Sequence, residues 1–205
     1  MNRGIHSRGY LPHWDFQKST QAITFRLADS VPKAVILAWK KELASIPDES
    51  TRQKELHRRI ARFEDAAHGE ALLADPACAA VIQRKLIENH SICYKLLEWV
   101  VMPNHVHVLA RLLESHSLSS IIQRWKGASA TEINRTLNRT GRVWAPDYYD
   151  RYVRDLDHLN HCIRYIHNNP VKAWLCSTPA DWPFSSAASQ WSADFSPHAP
   201  THQAD

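Results

Sequence analysis

Hydrophobic and polar positions follow two different periods along the chain, which predicts a mixture of strands and helices. Runs rich in β-branched and aromatic residues predict strands over three segments: 20–27, 91–101 and 105–112. Apolar residues at helical spacing predict helices over four segments: 32–45, 76–90, 117–138 and from Asp155 or Asp157 to about 168. The predicted caps of the last three are Asp75, Ser117 or Ser119, and Asp155 or Asp157. The last helix is expected to end at Pro170, because proline cannot donate the next backbone hydrogen bond.

The order of these elements predicts the fold class. A strand, a helix, a hairpin, a helix, a short strand within 142–154 and a final helix indicate an α+β fold, a ferredoxin-like sandwich. We expect a mostly antiparallel central sheet with helices packed on one face. Interleaved charges over 46–75 predict an exposed helical insertion with a break near Gly69, within one domain spanning 1–190. The Ser-, Ala-, Pro- and His-rich tail 191–205 is predicted to be disordered.

The amino-acid composition excludes several classes of protein. Hydrophobic residues make up 44% and charged residues 22% of the 205 positions, and no apolar run reaches the roughly 18 residues of a membrane span. The N-terminus lacks the apolar core of a secretory signal, so a bacterial-type cytoplasmic location is expected. The net charge of +4 permits a nucleic-acid partner without requiring one. The four cysteines are widely spaced, so neither a zinc site nor disulfides are expected.

His105 and His107 are the first candidates for chemistry. Alternate residues of a strand share a face, so both imidazoles point to one side and the intervening valine to the other. Two imidazoles on one face can bind one divalent metal ion. With 13 histidines in 205 residues, however, roughly one H-x-H motif arises by chance, so this motif alone is a weak signal.

A second candidate set lies on the final predicted helix. His161, Tyr165 and Asn169 are spaced by four and share one helix face, with His158 on the same side. Such a polar stripe can line a cleft. A tyrosine hydroxyl satisfied at the edge of the core and an asparagine that ends the helix would explain the same pattern, and spacing alone favours that explanation.

The candidate residues belong to a series of five short sequence motifs. M-P-N-H-V-H-V-L (102–109) and Y-I-H-N-N-P-V-K-A (165–173) resemble the paired signatures of REP-associated tyrosine transposases, HUH endonucleases related to single-tyrosine insertion-sequence transposases. Three further segments match the same family: R-G-Y-L-P-H (8–13), D-Y-Y-D-R-Y-V-R-D (147–155) and D-W-P-F-S-S (181–186). Two features depart from the family pattern, Trp174 at a usual glycine and the long 46–75 insertion, and neither is expected to contact the metal ligands.

The resemblance implies a metal-dependent, single-strand DNA endonuclease and strand transferase. The family's metal ligands fall on His105, His107 and Asn169, and its nucleophilic tyrosine falls on Tyr165. It also implies Mg²⁺ or Mn²⁺, a covalent 5′-phosphotyrosine intermediate, and single-stranded DNA beside a REP-type hairpin, in a nucleoid-associated monomer or homodimer. A tyrosine phenol needs help in losing its proton, and His161, one turn before Tyr165, is a candidate either to accept that proton or only to orient the phenol.

Basic side chains near these motifs are candidates for phosphate contacts: Arg8, Arg124, Lys126, Arg142, Arg151, Arg154 and Lys172. Trp125, Tyr148 and Tyr149 are candidates for stacking on unpaired bases. For any single one of these residues, a solvated charge or a buried ring is the more common role. Tyr148 and Tyr149 are also rival nucleophiles, although neither has a metal-binding partner one helical turn away.

Three other functions are alternatives for the same residues, and the five motifs argue against one of them, a structural protein with a histidine-rich surface. A DNA-hairpin-binding protein that retains the fold without cutting would leave the DNA intact. A metal-dependent hydrolase that uses water would cut DNA without forming a covalent adduct. The presence of Tyr165 together with both histidines favours the transposase-like reaction over the non-cutting, DNA-hairpin-binding protein.

Overall fold

The structure is a computed structural model, and it describes three ranges of the chain and two additional short strands: 19–65, 68–114, 116–188, β1 (Ile5–Ser7) and β2 (Pro12–Trp14). β1 and β2 pair with each other in antiparallel fashion. The predicted DNA contact Arg8 and the predicted tail 191–205 lie outside the described residues. No helix within the described part of the chain is long and apolar enough to span a membrane.

Four strands form the central sheet: β3 (Thr20–Arg26), β4 (Tyr94–Val101), β5 (His105–Leu112) and β6 (Tyr149–Tyr152). They lie in the order β4–β5–β3–β6, and every neighbouring pair is antiparallel. The hairpin β4–β5 thus places its second strand beside β3, as in a split β-α-β unit. The predicted ferredoxin-like, antiparallel sheet is confirmed.

One face of the sheet is covered by α3 (Pro76–Ile87) and α4 (Leu118–Thr136), which pack against each other. Val106 and Val108 of β5 belong to the core cluster under these helices. Both helices begin at the predicted capping residues. The Asp75 side chain accepts a hydrogen bond from the Ala77 backbone, and the Ser117 hydroxyl accepts one from the Ser120 backbone.

The opposite face of the sheet is covered by α5 (Leu156–Lys172), which begins at the predicted cap Asp155. Cys162 and Ile166 of this helix pack with Val100 and Leu109 of the hairpin. The expectation that helices cover only one face is therefore wrong. β4 and β5 are buried along nearly their whole length, so both faces of the hairpin carry apolar side chains that need a cover.

The predicted end of the last helix at Pro170 is also wrong, because α5 continues through Pro170 to Lys172. Pro170 has no backbone N–H, so the one helical hydrogen bond that it prevents is the bond it would donate to the preceding turn. The carbonyls of Asn169 and Pro170 still accept hydrogen bonds, from the backbone of Ala173 at 3.0 Å and of Leu175 at 2.9 Å. Trp174 follows the helix in the left-handed region, with a φ of 59°.

Replacing Trp174 with glycine is expected to raise the free energy of unfolding by about 0.5–1 kcal/mol, because glycine adopts the left-handed conformation without a Cβ clash. The Trp174 side chain is 94% exposed, so little packing is lost. Urea denaturation of Trp174→Gly and Trp174→Ala measures the effect. The alanine variant keeps the Cβ and should show no gain, and an equal gain in both variants would contradict the backbone explanation.

The insertion forms a helical hairpin with the segment before it, made of α1 (Lys33–Leu43) and α2 (Glu49–Asp65). The break predicted near Gly69 is confirmed, since α2 ends at Asp65 and Gly69 has a φ of 93°. The prediction that the insertion is simply exposed is wrong. Leu56, Ile60 and Glu64 recur every four residues on α2 and are buried, although the helix is mostly charged.

Candidate functional site

The predicted histidine pair lies on β5, on the sheet face that α5 covers. His105 and His107 are both buried, and their Nε2 atoms lie 3.0 Å apart. The second ring nitrogen of each has its own partner. His105 Nδ1 lies 2.7 Å from the Asn104 side-chain oxygen, and His107 Nδ1 lies 2.8 Å from the Thr24 hydroxyl. The two Nε2 atoms therefore converge on one point, as two ligands of a single ion would.

Burial keeps both imidazoles neutral. It lowers the pKa of His105 to about 3 and lowers the pKa of His107 well below its ordinary value, with His105 and His57 adding to the effect on His107. Neutral imidazole is the form that binds metals. These two side chains consequently do not need to lose a proton before binding a divalent ion near neutral pH.

Tyr165 of α5 reaches the histidine pair across the space between helix and sheet. Its ring packs edge-on against His107, with ring centroids 5.2 Å apart. The side chain of Asn169, one turn later, is 3% exposed and lies near the Tyr165 hydroxyl, where it favours the ionised phenol. The structure thus brings the predicted nucleophile, the predicted third ligand and the histidines to one place.

The Tyr165 phenol is strongly held in its protonated form. Burial raises the pKa of Tyr165 to about 12, and the nearby carboxyl groups of Asp65 and Glu64 raise it further, whereas the hydrogen bond to Asn169 opposes them. The Lys172 ammonium lies 5.2 Å from the centre of the tyrosine ring. A nucleophilic role would require these surroundings to change when a phosphate enters, or a base to take up the proton.

A cavity of about 190 Å³ opens beside Tyr165 and His107. Its walls come from β3, β5, β6, α5 and, unexpectedly, from α2 of the insertion, through His57, Ala61 and Glu64. The insertion lies closer to the site than its composition suggested, because α2 forms one wall of the cavity that His107 lines. The charged composition of the insertion gave no sign of this role, because a helix rich in charges can still bury the residues along one of its faces.

Glu64 connects α2 of the insertion to β3. Its side chain is 3% exposed and lies 3.6 Å from the Arg26 guanidinium, which is also buried. Arg26 is the strand partner of His105 on β3, just as Thr24 is the partner of His107. Burial raises the pKa of Glu64 to about 7, although the Arg26 charge opposes the shift.

Sequence reasoning missed His57, Glu64, Thr24 and Asn104. The alternation of β3 offered a signal for Thr24, because its side chain shares a sheet face with Arg26. Nothing in the sequence pointed to His57 or Glu64, since their positions depend on how the insertion folds back.

The rival nucleophile Tyr149 lines the same cavity. Its ring stacks on the His57 ring, with centroids 3.4 Å apart and an angle of 11° between the planes. It therefore has an imidazole neighbour after all, although this neighbour is His57 and not one of the β5 histidines. Burial raises the pKa of Tyr149 as well. Its proximity makes Tyr149 the necessary comparison in any test of Tyr165.

His57 predicts a specific loss of stability in acid. Burial, followed by the Arg151 and Arg26 charges, lowers the pKa of His57 to about 4, from 6.5 in an unfolded chain. Below pH 6.5 the unfolded chain binds a proton at His57, whereas the folded chain binds it only near pH 4. The free energy of unfolding therefore decreases as the pH falls from 6.5 to 4.

Between about pH 7.5 and pH 5, the wild type should lose about 2 kcal/mol more than His57→Phe, whose ring can still stack on Tyr149. Urea denaturation at the two pH values measures the difference, with EDTA present to exclude metal effects. Equal losses in the two proteins would show that the folded His57 titrates normally.

Some of the residues predicted to contact DNA lie at this site, and others lie elsewhere on the protein. Arg151 lines the cavity and Lys172 lies over the Tyr165 ring, so both can meet a bound strand. Arg142 and Arg154 are exposed. Arg124 donates to Asn89 at the end of α3, on the sheet face opposite α5.

Two of the predicted DNA-facing side chains are turned inward. Lys126 donates to the backbone carbonyls of Pro146 and Asp147, and burial lowers its pKa to about 8. The Trp125 ring is buried and its indole donates to the Tyr94 hydroxyl, so the expectation that it stacks on bases is wrong. Its position on the inner face of α4 explains this, because that face packs on the sheet.

The donor set suits a divalent ion whose shell is completed by oxygen. Within the part of the chain that the structure describes, no group of three or more His, Cys, Asp and Glu side chains is arranged to hold a metal. His105 and His107 could hold an ion only together with other donors, such as the Asn169 amide or oxygens of a substrate. Mn²⁺ and Mg²⁺ accept such mixed nitrogen and oxygen shells.

Known sequences are similar to the part of the chain that carries these residues. Residues 77–169 match the family described as Transposase IS200 like. A REP-associated tyrosine transposase of Escherichia coli strain K12 is 30% identical over 95 residues, 45% of this chain and 53% of that protein. An uncharacterized protein of Haemophilus influenzae is 28% identical over 96 residues, 36% of this chain and 53% of that protein. The chain spans about half the length of the curated relatives it matches.

The fold also has a known counterpart. A solved structure of a REP-associated tyrosine transposase bound to a REP hairpin matches with a TM-score of 0.53 and 18% identity, over 84% of this chain and 79% of that one. At this level of identity the match shows a shared fold.

Proposed function

Because the similarity to REP-associated tyrosine transposases is confirmed in sequence and in fold, we propose that this chain is a metal-dependent DNA nicking and joining enzyme. Its substrate is single-stranded DNA beside a REP-like hairpin, and its intermediate is a covalent 5′-phosphotyrosine. The observation that carries the proposal is the contact of Tyr165 with His107, whose Nε2 lies 3.0 Å from His105 Nε2.

The reaction is a transesterification at phosphorus. The Tyr165 oxygen attacks the scissile phosphate, the bond to the 3′ oxygen breaks, and the DNA leaves with a free 3′-hydroxyl. The phenol proton passes to a base, and the leaving oxygen takes up a proton. In the joining step, a 3′-hydroxyl attacks the phosphotyrosine and releases Tyr165. One phosphodiester is formed for each one broken, so no ATP is needed.

His105, His107 and Asn169 would hold Mg²⁺ or Mn²⁺, which supplies charge neutralisation at the phosphate oxygens. The protein's own residues do the rest. Asn169 lies beside the Tyr165 hydroxyl and would orient it. Arg151 and Lys172 lie where they can attract the phosphates of a strand that enters the cavity.

His161 is the proposed acceptor of the phenol proton. It is exposed, lies one turn before Tyr165 and lines the same cavity. In His161→Ala, we expect nicking to fall roughly 10²-fold near neutral pH and to recover as the pH rises. Single-turnover nicking rates across pH measure this. Normal rates at every pH would exclude His161 as the base.

The proposal is tested with a labelled DNA hairpin that carries single-stranded flanks of randomised sequence. Incubation with Mn²⁺ should give a protein–DNA adduct that survives denaturation, and sequencing of the trapped DNA identifies the cut position. EDTA should abolish the adduct. Binding of the hairpin without strand breaks would instead support the non-cutting alternative, and cutting without an adduct would support a hydrolase that uses water.

A further inference from the structure

Asn104 occupies a fully enclosed position between the insertion and the histidine pair. The side chain is 1% exposed and uses both ends of its amide. The Nδ2 group donates to the backbone carbonyls of Glu64 at 3.1 Å and His68 at 3.2 Å. The Oδ1 atom lies 2.7 Å from Nδ1 of His105. Every hydrogen-bonding group of this amide is thus directed by a neighbour.

These contacts decide which nitrogen of His105 carries the proton. Carbonyl oxygens only accept, so the two carbonyls require the amide NH₂ to face the insertion and the amide oxygen to face His105. An amide oxygen also only accepts, so His105 must donate from Nδ1. Its Nε2 atom then presents a lone pair, which is the form that binds a metal ion.

The histidine beside it has no such constraint. His107 Nδ1 faces the Thr24 hydroxyl, which can donate or accept. Without an ion, His107 can donate from Nε2 to His105 Nε2 at 3.0 Å, and with an ion it can turn its proton to Thr24. One imidazole is therefore fixed in its metal-binding form, and the other can adapt.

The carbonyls that orient Asn104 are themselves held in place at the end of the insertion. The Glu64 side chain faces Arg26 at 3.6 Å, and the backbone N–H of Glu70 donates to the Asp29 carboxylate at 2.6 Å. Gly69 lies between them with a φ of 93°, and a Cβ added there would lie 2.7 Å from the same carboxylate. A larger residue at 69 is strained by this φ and must shift either the turn or the Asp29 carboxylate that binds it.

We propose that the insertion is the outer support of the metal-binding histidines, with Asn104 as the positioning residue that transmits the orientation of its carbonyls to His105. This inference rests on the proposed function, because it takes the histidine pair as a metal site. It gives a structural role to the 46–75 insertion, which departs from the family pattern.

The first measurement uses the wild-type protein without DNA. Long-range ¹H–¹⁵N correlation spectra of histidine-labelled protein in EDTA report which ring nitrogen is protonated, and His105→Gln identifies the peaks by their loss. We expect a protonated Nδ1 and a bare Nε2 for His105. A His105 proton on Nε2 in the wild type would overturn the proposal without any variant having to fold.

Two variants then test Asn104 and the insertion separately. Asn104→Ala should give mixed His105 tautomers and weaken Mn²⁺ binding about 10- to 100-fold, measured by calorimetry. Gly69→Ala, which touches neither histidine, should move both quantities in the same direction by a smaller amount. Unchanged tautomer and affinity in folded Gly69→Ala would overturn the role of the insertion.

Thr24→Val is the matched control, because it removes the Nδ1 partner of His107 and leaves that of His105. It should shift the His107 signals and leave the His105 tautomer unchanged; a changed His105 tautomer would contradict the assigned chain of contacts. All these readouts are taken without DNA. A protein that behaves as expected here and yet forms no DNA adduct would contradict the proposed function while supporting this inference.

Discussion

Tyr165→Phe is expected to abolish the covalent protein–DNA adduct and to reduce nicking at least about 10³-fold. The substitution removes one oxygen atom from the edge-on contact with His107 and leaves the ring, so the packing of α5 should survive. The buried Asn169 amide loses the hydroxyl beside it, which costs about 1–3 kcal/mol of stability. Gel analysis of the trapped adduct and single-turnover rates measure the two effects.

Tyr149→Phe is the control for this experiment, because Tyr149 lines the same cavity and its ring can remain stacked on His57 after the change. We expect it to form the adduct at a rate within a few-fold of the wild type. An adduct that persists in Tyr165→Phe and disappears in Tyr149→Phe would reverse the assignment of the nucleophile.

His107→Ala and His105→Ala are each expected to lower nicking by about 10²–10⁴-fold and to abolish tight Mn²⁺ binding. Each variant removes one of the two Nε2 donors that converge at 3.0 Å. The buried imidazoles also fill space, so both variants should unfold at lower urea concentration. Nicking is therefore measured well below the denaturation midpoint, and Mn²⁺ binding is measured by calorimetry.

His116→Ala is the matched control, since His116 is a partly buried histidine that lies before α4 and lines a pocket sharing no residue with the cavity. It should keep both Mn²⁺ affinity and nicking. High Mn²⁺ concentrations should partly rescue a single His→Ala variant if its only defect is weak metal binding. Wild-type Mn²⁺ affinity in both β5 variants would exclude the histidine pair as the metal site.

The local pattern of the sequence determined more of this site than of its surroundings. The period of two along β5 placed His105 and His107 on one face, and the spacing of four along α5 placed His161, Tyr165 and Asn169 on another. These placements follow from the geometry of one strand and one helix, which any folded context preserves. Asp75, Asp155 and Ser117 were predictable for the same reason, because a helix cap depends on neighbours two or three residues away.

Only the tertiary structure decided that these two faces meet, because that depends on which apolar surface α5 covers. It also decided that the insertion closes the cavity, that His57 stacks on Tyr149, and that the pKa of Glu64 rises to about 7. Each of these properties arises from contacts or burial between segments far apart in the chain, which no local period encodes. The proposed Nδ1-protonated form of His105 depends on distant segments in the same way, since two carbonyls about forty residues earlier orient the Asn104 amide beside it.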